Sequence, residues 1–600
     1  MRRPSDFDLT GGAFCAILNL KIIERKLIEM TALEKYQIWC EKATEDADVV
    51  RELREMAGHD SDITERFSVD LAFGTGGLRG VIGAGTSLMN IYTVRRATQG
   101  LANVLRAQNP NASVAIAYDS RIKSELFARE AAGVMAANGL QVWIYPELMP
   151  TPMLSFAVRA LGAQGGINVT ASHNPSKYNG YKVYGADGCQ MTDADATRVF
   201  DEIQKLDLFD DVRHIAFEDG LRTGAIRLIG DDVREQFIRQ VMAQCIHPEL
   251  CASSGLKVIY TPLNGTGNKP VREVLRRLGI ANVTVVPEQE HPDGHFPTCP
   301  YPNPEIRQVF ECGLRLARAD EPDLLLATDP DCDRVGIAVR DGDDYRLFTG
   351  NEVGAMLLEY ILSQRKAAGT LPTHPVAVKT IVTTPIVEKI AAAYGCEMVN
   401  LLTGFKYIGE RIGQLEAAGE ADRYVFGFEE SYGYLAGTYV RDKDAVYAAM
   451  AICDMASYYK AHGQTLVDVI ESIYRKYGYY VNTVASFEFD GLAGMAQMQA
   501  LMQRLRAERP ATLCGVAVTN FSDYLASQSI DCVTGAVQEI HLPKSNVLSF
   551  TRADGANVII RPSGTEPKIK AYVASVGTSH AESEQIGSAL LAEVRSLLGV

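Results

Sequence analysis

Gly166-Ile-Asn-Val-Thr-Ala-Ser-His-Asn-Pro175 reads as a short buried strand, Ile167 to Thr170, that runs into a polar loop. The loop offers one hydroxyl, Ser172, with His173 and Asn174 beside it, and Pro175 stops a helix from continuing. In an open α/β sheet, ligands sit just past the carboxyl ends of strands. A lone serine there is equally an ordinary turn residue, so the reading depends on what the other strand ends carry.

The second signal is Asp329-Pro-Asp-Cys-Asp-Arg334, delivered by a predicted strand over Asp323–Ala327. Asp329, Asp331 and Asp333 alternate, so an extended backbone points all three carboxylates one way. Two such charges about 4 Å apart repel by about 1 kcal/mol in water and about 4 kcal/mol at an effective dielectric of 20. Convergence therefore calls for a cation, and an all-oxygen ligand set suits Mg²⁺. An EF-hand is excluded, because the loop lacks the Gly at its sixth position and the Glu at its twelfth.

Two further loops extend the set. A strand over Tyr424–Gly427 exits into Phe428-Glu-Glu-Ser431, where Glu429 and Ser431 supply an acceptor and a donor/acceptor of the kind sugar hydroxyls need. Arg561-Pro-Ser-Gly-Thr-Glu-Pro567 lies between predicted strands over Asn557–Ile560 and Ile569–Ala574. Arg561, Ser563, Thr565 and the N–H of Gly564 form a nest of donors suited to phosphate, although a plain hairpin turn fits the same residues. Near the N-terminus, Phe73-Gly-Thr-Gly-Gly-Leu-Arg-Gly80 reads as an anion loop with Arg79 as its charge. Lys182 is close enough in sequence to fold back on Ser172. Thr403-Gly-Phe-Lys-Tyr-Ile-Gly409 is read as a loop, and Arg441-Asp-Lys-Asp444 as a compact charged turn.

Taken together, a hydroxyl nucleophile, a three-carboxylate metal site, hydroxyl readers and a phosphate nest specify phosphoryl transfer. Lys182 is expected to act as general acid/base, and His173, Arg79 and Arg334 to stabilise charge on the transferring group.

Composition narrows the alternatives. With 600 residues the chain is long enough for about four domains at roughly 150 residues each. Net charge is −15 without a block of like charges, which argues against nucleic acid or an anionic membrane as partner. The 12 cysteines include no Cys-x-x-Cys pair and read as reduced thiols of a cytoplasmic protein. No apolar run approaches the roughly 20 residues of a membrane span. The domain reading is a leader over 1–30 with Met30 as the natural start, then 31–221 around Ser172, 222–343 around the aspartates, 344–477 with the sugar loop, and 478–600 with the phosphate nest. A capping box, Thr31 with Glu34, opens a helix predicted to run to about Met56.

Thr170-Ala-Ser-His-Asn-Pro175, Asp329-Pro-Asp-Cys-Asp-Arg334, Glu429-Glu-Ser431 and Arg561-Pro-Ser-Gly-Thr-Glu-Pro567 resemble, in order, the four active-site loops of the α-D-phosphohexomutase superfamily. Gly427-Phe-Glu-Glu-Ser-Tyr-Gly433 and the stretch from Gly437 to Ala445 look most like its phosphoglucomutase/phosphopentomutase branch. The resemblance implies an α/β fold of four domains around a central cleft, three related α/β domains with mixed sheets and a smaller α+β C-terminal domain. It implies a phosphoserine at Ser172 and one Mg²⁺ per chain on Asp329, Asp331, Asp333 and the Ser172 oxygen. Sugar contacts are expected from Arg334, Thr403, Gly404, Glu429, Ser431 and Lys443, and a sugar 1,6-bisphosphate serves as activator. The expected reaction interconverts glucose 1-phosphate and glucose 6-phosphate in a monomer or weak homodimer. Pentose or other hexose phosphate mutases, a sugar-bisphosphate synthase and a metal-dependent sugar phosphatase are the alternatives. One departure stands out: some members have a His two residues beyond the sugar-loop Ser, where this chain has Gly433.

Overall fold

The computed structural model describes residues 30–74, 76–489, 491–563 and 568–599. The expected leader lies outside them apart from Met30, as do Gly564 and Thr565 of the phosphate nest. The capping box at Thr31 and Glu34 forms, but the helix it opens ends at Lys42. A second helix, Ala47–Glu55, starts afresh with Asp46 accepting from the Asp48 N–H, so the single long helix expected to Met56 is two.

Three sheets share one plan. The first has six strands in the order Gly77–Val81, Tyr178–Gly185, Gly165–Val169, Ser113–Tyr118, Gln141–Ile144 and Ile226–Leu228. The last four run parallel, while Tyr178–Gly185 runs against both neighbours. The second orders Asp344–Phe348, Val335–Asp341, Leu324–Thr328, Lys257–Thr261 and Asn282–Val285, again with the second strand reversed. The third orders Glu397–Leu401, Val376–Thr380, Tyr424–Glu429 and Gly433–Leu435, the last reversed. Helices pack on these sheets, as βαβ connections require. Ile226–Leu228 belongs to the first sheet and Asp344–Phe348 to the second, each just past the residue, 221 or 343, at which the sequence reading divides the chain.

This plan explains where the loops lie. In each sheet, one strand of the parallel set is followed by a return strand of opposite direction. The loop joining them carries the chemistry: Ser172 after Gly165–Val169, the aspartates after Leu324–Thr328, and Glu430–Ser431 after Tyr424–Glu429. The strand before Ser172 is buried along its whole length. At Gly166 a Cβ would stand 2.7 Å from a methyl of Val158, so glycine lets the helix Thr151–Ala160 lie close on the sheet.

The fourth unit is a β-rich domain. Its strands, from Tyr479–Glu488 to Lys568–Gly577, pair antiparallel throughout. Its apolar core is separate, built from residues such as Phe487, Met502, Phe550, Ile560 and Leu590. A cavity of about 410 Å³ separates it from the third sheet, bordered by Lys379, Glu430, Tyr524 and Tyr572 and by none of the three aspartates. Among the described residues, no helix is long and apolar enough to cross a membrane.

Candidate active site

Ser172 is 3% exposed and holds φ at 54°, a left-handed backbone that costs energy in a non-glycine residue. Several bonds pay for it. The Ser172 N–H donates to Thr170 Oγ1 at 2.8 Å. The fully buried guanidinium of Arg121 donates to the carbonyls of Ser172, Asn174, Pro175 and Tyr178. Arg121 stands 3.4 Å from Asp119 and 5.1 Å above the ring of Phe296, which comes from the second domain. One planar fork thus fixes the loop's shape. The one signal in the sequence for Arg121 is its place just past the end of Ser113–Tyr118, the strand beside Gly165–Val169.

An Arg121→Lys variant keeps the charge opposite Asp119 but replaces the fork by a point donor. Its kcat is expected to fall about 100-fold with KM little changed, the effect of a nucleophile displaced by an ångström. Steady-state kinetics beside a melting curve checks this; a lower melting temperature with unchanged kcat would show that the loop holds itself.

The Ser172 hydroxyl donates to Asp329 Oδ2 at 2.9 Å, so the first and second loops meet at the serine oxygen. Asp329, Asp331 and Asp333 are essentially inaccessible to solvent, and one carboxylate oxygen from each lies within 4.8 Å of the others. They do not converge by extended alternation. Residues 329–334 form a tight turn with Cys332 at φ 52°, and Asp329 Oδ1 accepts from the N–H groups of Asp333 and Arg334. The turn curls the chain so that the three carboxylates meet, with Asp329 against the serine.

Their charges are compensated from three directions. Lys182 Nζ lies 2.9 Å from Asp331 and 3.4 Å from Asp333, and Lys443 Nζ lies 2.8 Å from Asp333. Thr151, first residue of its helix, gives its hydroxyl to Asp331 Oδ2 at 2.8 Å and its N–H to the Asp331 carbonyl at 2.9 Å. The positive end of that helix favours the anion. Burial would raise Asp331, but Lys182 and Lys443 outweigh it and hold the carboxyl below its usual range. Burial and the other two aspartates instead push Asp329 well up. Asp331 Oδ1 and Asp333 Oδ1 are buried without a hydrogen-bond partner among the described residues. Two orphaned anionic oxygens beside a third carboxylate that burial and like charge disfavour are the donor set of a hard divalent cation.

The charged residues around this centre differ in state. Burial alone would lower Lys182, yet Asp331 and Asp333 raise it, so it stands as an ammonium. His173 Nδ1 is 3.2 Å from the serine hydroxyl. Burial, with Arg334 and Arg79 nearby, holds His173 well below the ordinary histidine range. It is therefore a neutral hydrogen-bond partner of the serine. Arg79 sits on Gly77–Val81 opposite Gly180, accessible to solvent but walled in by the cleft; that enclosure and the like charge of Arg334 lower its pKa. Arg334 pairs with Glu305 at 3.1 Å.

Glu429 ends its strand buried, and Oε1 accepts from the Gly404 N–H at 3.0 Å. The neighbouring Thr403 hydroxyl is buried without a hydrogen-bond partner among the described residues. Thr403 and Gly404 lie just before a helix, Phe405–Ala417, where a loop was expected to continue to Gly409. Burial raises Glu429 to about 7, against the pull of Lys443. Ser431 is half-buried in the same turn. Glu430 accepts from Thr380 at 3.0 Å and Thr383 at 3.3 Å, partners that sequence did not single out. Gly433 resolves the departure at that position: a Cβ there would lie 2.5 Å from Lys443 Cδ. The glycine leaves the space through which Lys443 reaches Asp333.

From the fourth domain, Arg561 lies at the end of Asn557–Pro562 and acts electrostatically on the hydroxyls of Tyr407 and Tyr572. Ser563 follows, its N–H donating to the Lys568 carbonyl at 2.8 Å.

Comparison with known proteins agrees with this architecture. The three alpha/beta/alpha domain models of phosphoglucomutase/phosphomannomutase match residues 70–209, 235–342 and 349–477. A phosphoglucomutase of Staphylococcus aureus strain MSSA476 is 36% identical over 543 residues, 90% of this chain and 95% of that protein. One of Staphylococcus saprophyticus is 35% identical over 503 residues, 84% of this chain and 90% of its own length. Among solved structures, the open form of the Paramecium phosphoprotein pp63/parafusin has a similar fold, with a TM-score of 0.65 at 18% identity, over 88% of this chain and 94% of that one. The fold, the order of the loops and these matches together show that the chain belongs to the phosphoglucomutase/phosphomannomutase family.

Proposed function

We propose that this protein is a phosphoglucomutase, interconverting glucose 1-phosphate and glucose 6-phosphate with Ser172 as phosphoryl carrier. The observation that carries the reading is the Ser172 hydroxyl 2.9 Å from one of three buried, converging carboxylates. The phosphoryl group leaves Ser172 Oγ for the 6-hydroxyl oxygen of glucose 1-phosphate, making the 1,6-bisphosphate; the 1-phosphoryl then passes to Ser172, releasing glucose 6-phosphate. Asp329, Asp331 and Asp333, with the serine oxygen, would hold one Mg²⁺, which would neutralise the phosphoryl charge and polarise that oxygen. Lys182, an ammonium, donates to the transferring group, gives its proton to the leaving serine oxygen and, as the amine so formed, takes the proton that the 6-hydroxyl loses. Arg79, Arg334 and the neutral His173 supply donors around it. Thr403, Gly404, Glu429, Ser431 and Lys443 read the sugar. Arg561 and Ser563, with Gly564 and Thr565, hold the phosphate that is not reacting. We place the enzyme in the cytoplasm, as a monomer or weak homodimer.

Assays of glucose, mannose, glucosamine, ribose and deoxyribose 1-phosphates, with Mg²⁺ and a trace of glucose bisphosphate, test the assignment. Glucose should have the highest kcat/KM; a preference for a pentose would overturn it, and sustained phosphate release would indicate a phosphatase. For glucose 1-phosphate, kcat/KM is expected to rise with pH through about 7 as Glu429 loses its proton and becomes a full acceptor. Glu429→Gln should lose that limb; a limb that persists unchanged would assign it to another group.

A further inference from the structure

Outside this site, the fold joins two cysteines and an aspartate that sequence spacing leaves unrelated. Cys245 follows the helix Asp231–Met242, Cys251 lies in Pro248–Ser253, and Asp454 in Ala445–Ala461. Cys245 Sγ and Cys251 Sγ are 3.9 Å apart, Cys251 Sγ and Asp454 Oδ1 3.8 Å, and one donor atom from each of the three residues lies within 4.8 Å of the others. Two thiolates held at about 2.3 Å in a tetrahedral zinc site stand about 3.8 Å from each other. The sulfur spacing is therefore already that of a metal site's edge.

Two independent features point to a cation. Asp454 is 1% exposed, and the hydrogen bonds it accepts come from two backbone N–H groups and the Cys251 thiol, with no ammonium or guanidinium among these donors. The N–H groups of Ile246 and His247 donate to it at 2.7 and 3.1 Å and aim its carboxylate at the thiols. The Tyr360 hydroxyl is buried against the same carboxylate and interacts with it, but makes no hydrogen bond of good geometry to any described residue. Cys245 is only half-buried, which leaves an ion a way in.

We propose that Cys245, Cys251 and Asp454 bind one thiophilic divalent cation of the Zn²⁺ type, with the Tyr360 hydroxyl or a water completing the shell. Binding transfers two thiol protons to solvent and leaves two thiolates and one carboxylate on the ion. The site clasps the 245–251 segment to Ala445–Ala461. That helix begins at Ala445, two residues after Lys443 and about 14 Å from Asp454 at 1.5 Å per residue. The ion would thus brace the element that presents Lys443 to Asp333.

The test is Co²⁺ titration of the reduced, chelator-stripped full chain made without a histidine tag. One equivalent should produce a sulfur-to-metal charge-transfer band, displaced by Zn²⁺, with affinity rising roughly 100-fold per pH unit while both thiols must deprotonate. Asp331→Asn should keep the band, because the active-site carboxylates offer only oxygen. Cys251→Ser should abolish it; should that variant not fold, the half-exposed Cys245→Ser must do the same. No sulfur band, or one that survives both cysteine changes because other thiols produce it, would overturn the proposal.

Discussion

Ser172→Ala is expected to fold and to lose turnover by on the order of 10⁴-fold or more, the scale seen when a covalent nucleophile is removed. The variant gives up one hydroxyl bond to Asp329, an effect of about 1–3 kcal/mol on stability. Alanine at φ 54° is as strained as serine, so the loop keeps its shape only if the Arg121 bonds hold it. Ser172→Gly is the informative companion, since it removes the same oxygen while relieving the strain. If both variants are inactive and fold, the oxygen is the cause. Mass spectrometry of the parent should find the phosphoryl group on Ser172 and on neither variant. Full turnover in either variant would sink the assignment.

Asp331→Asn should separate stability from activity. The carboxamide fits the space but removes the charge that pairs with Lys182 at 2.9 Å. It also removes repulsion with Asp329 and Asp333. The lost attractions, to Lys182 and Lys443, and the lost repulsions, from Asp329 and Asp333, are each roughly 4 kcal/mol for charges about 4 Å apart at an effective dielectric of 20, and they oppose each other two against two. Stability in chelator is therefore expected to change by no more than about 2 kcal/mol. In contrast, kcat in Mg²⁺ should fall about 1,000-fold, and the rise in melting temperature that Mg²⁺ confers on the parent should shrink. Calorimetry with and without Mg²⁺, beside the mutase assay, measures both. A variant that loses much stability in chelator but keeps its activity would make the trio a structural ion-pair cluster.

How these two sites were legible differs. The strand–loop stretches at Ser172 and Asp329 are contiguous, and a buried strand ending in polar residues carries its meaning locally. The hydroxyl, the carboxylate triplet and the order of the loops could all be read from the chain, as could the mixed α/β architecture. What could not be read was how the loops are held. Arg121 is one of many arginines until its guanidinium is seen beneath four carbonyls. Thr151 is an unremarked helix start until that helix end meets Asp331. The vacant space at Gly433 looked like a lost proton donor until Lys443 was seen to use it.

Which chemical groups stand at the ends of which strands follows from local pattern, because alternation, strand length and turn residues act over a few positions. Their charge states and neighbours come from the folded arrangement. His173 is neutral, Lys182 cationic and Glu429 poised near 7 because of burial and of charges distant along the chain, such as Arg334 acting on His173 and Asp331 and Asp442 acting on Lys182. Electrostatic energy depends on distance in space and on exclusion of water, and a one-dimensional chain specifies neither until it has folded.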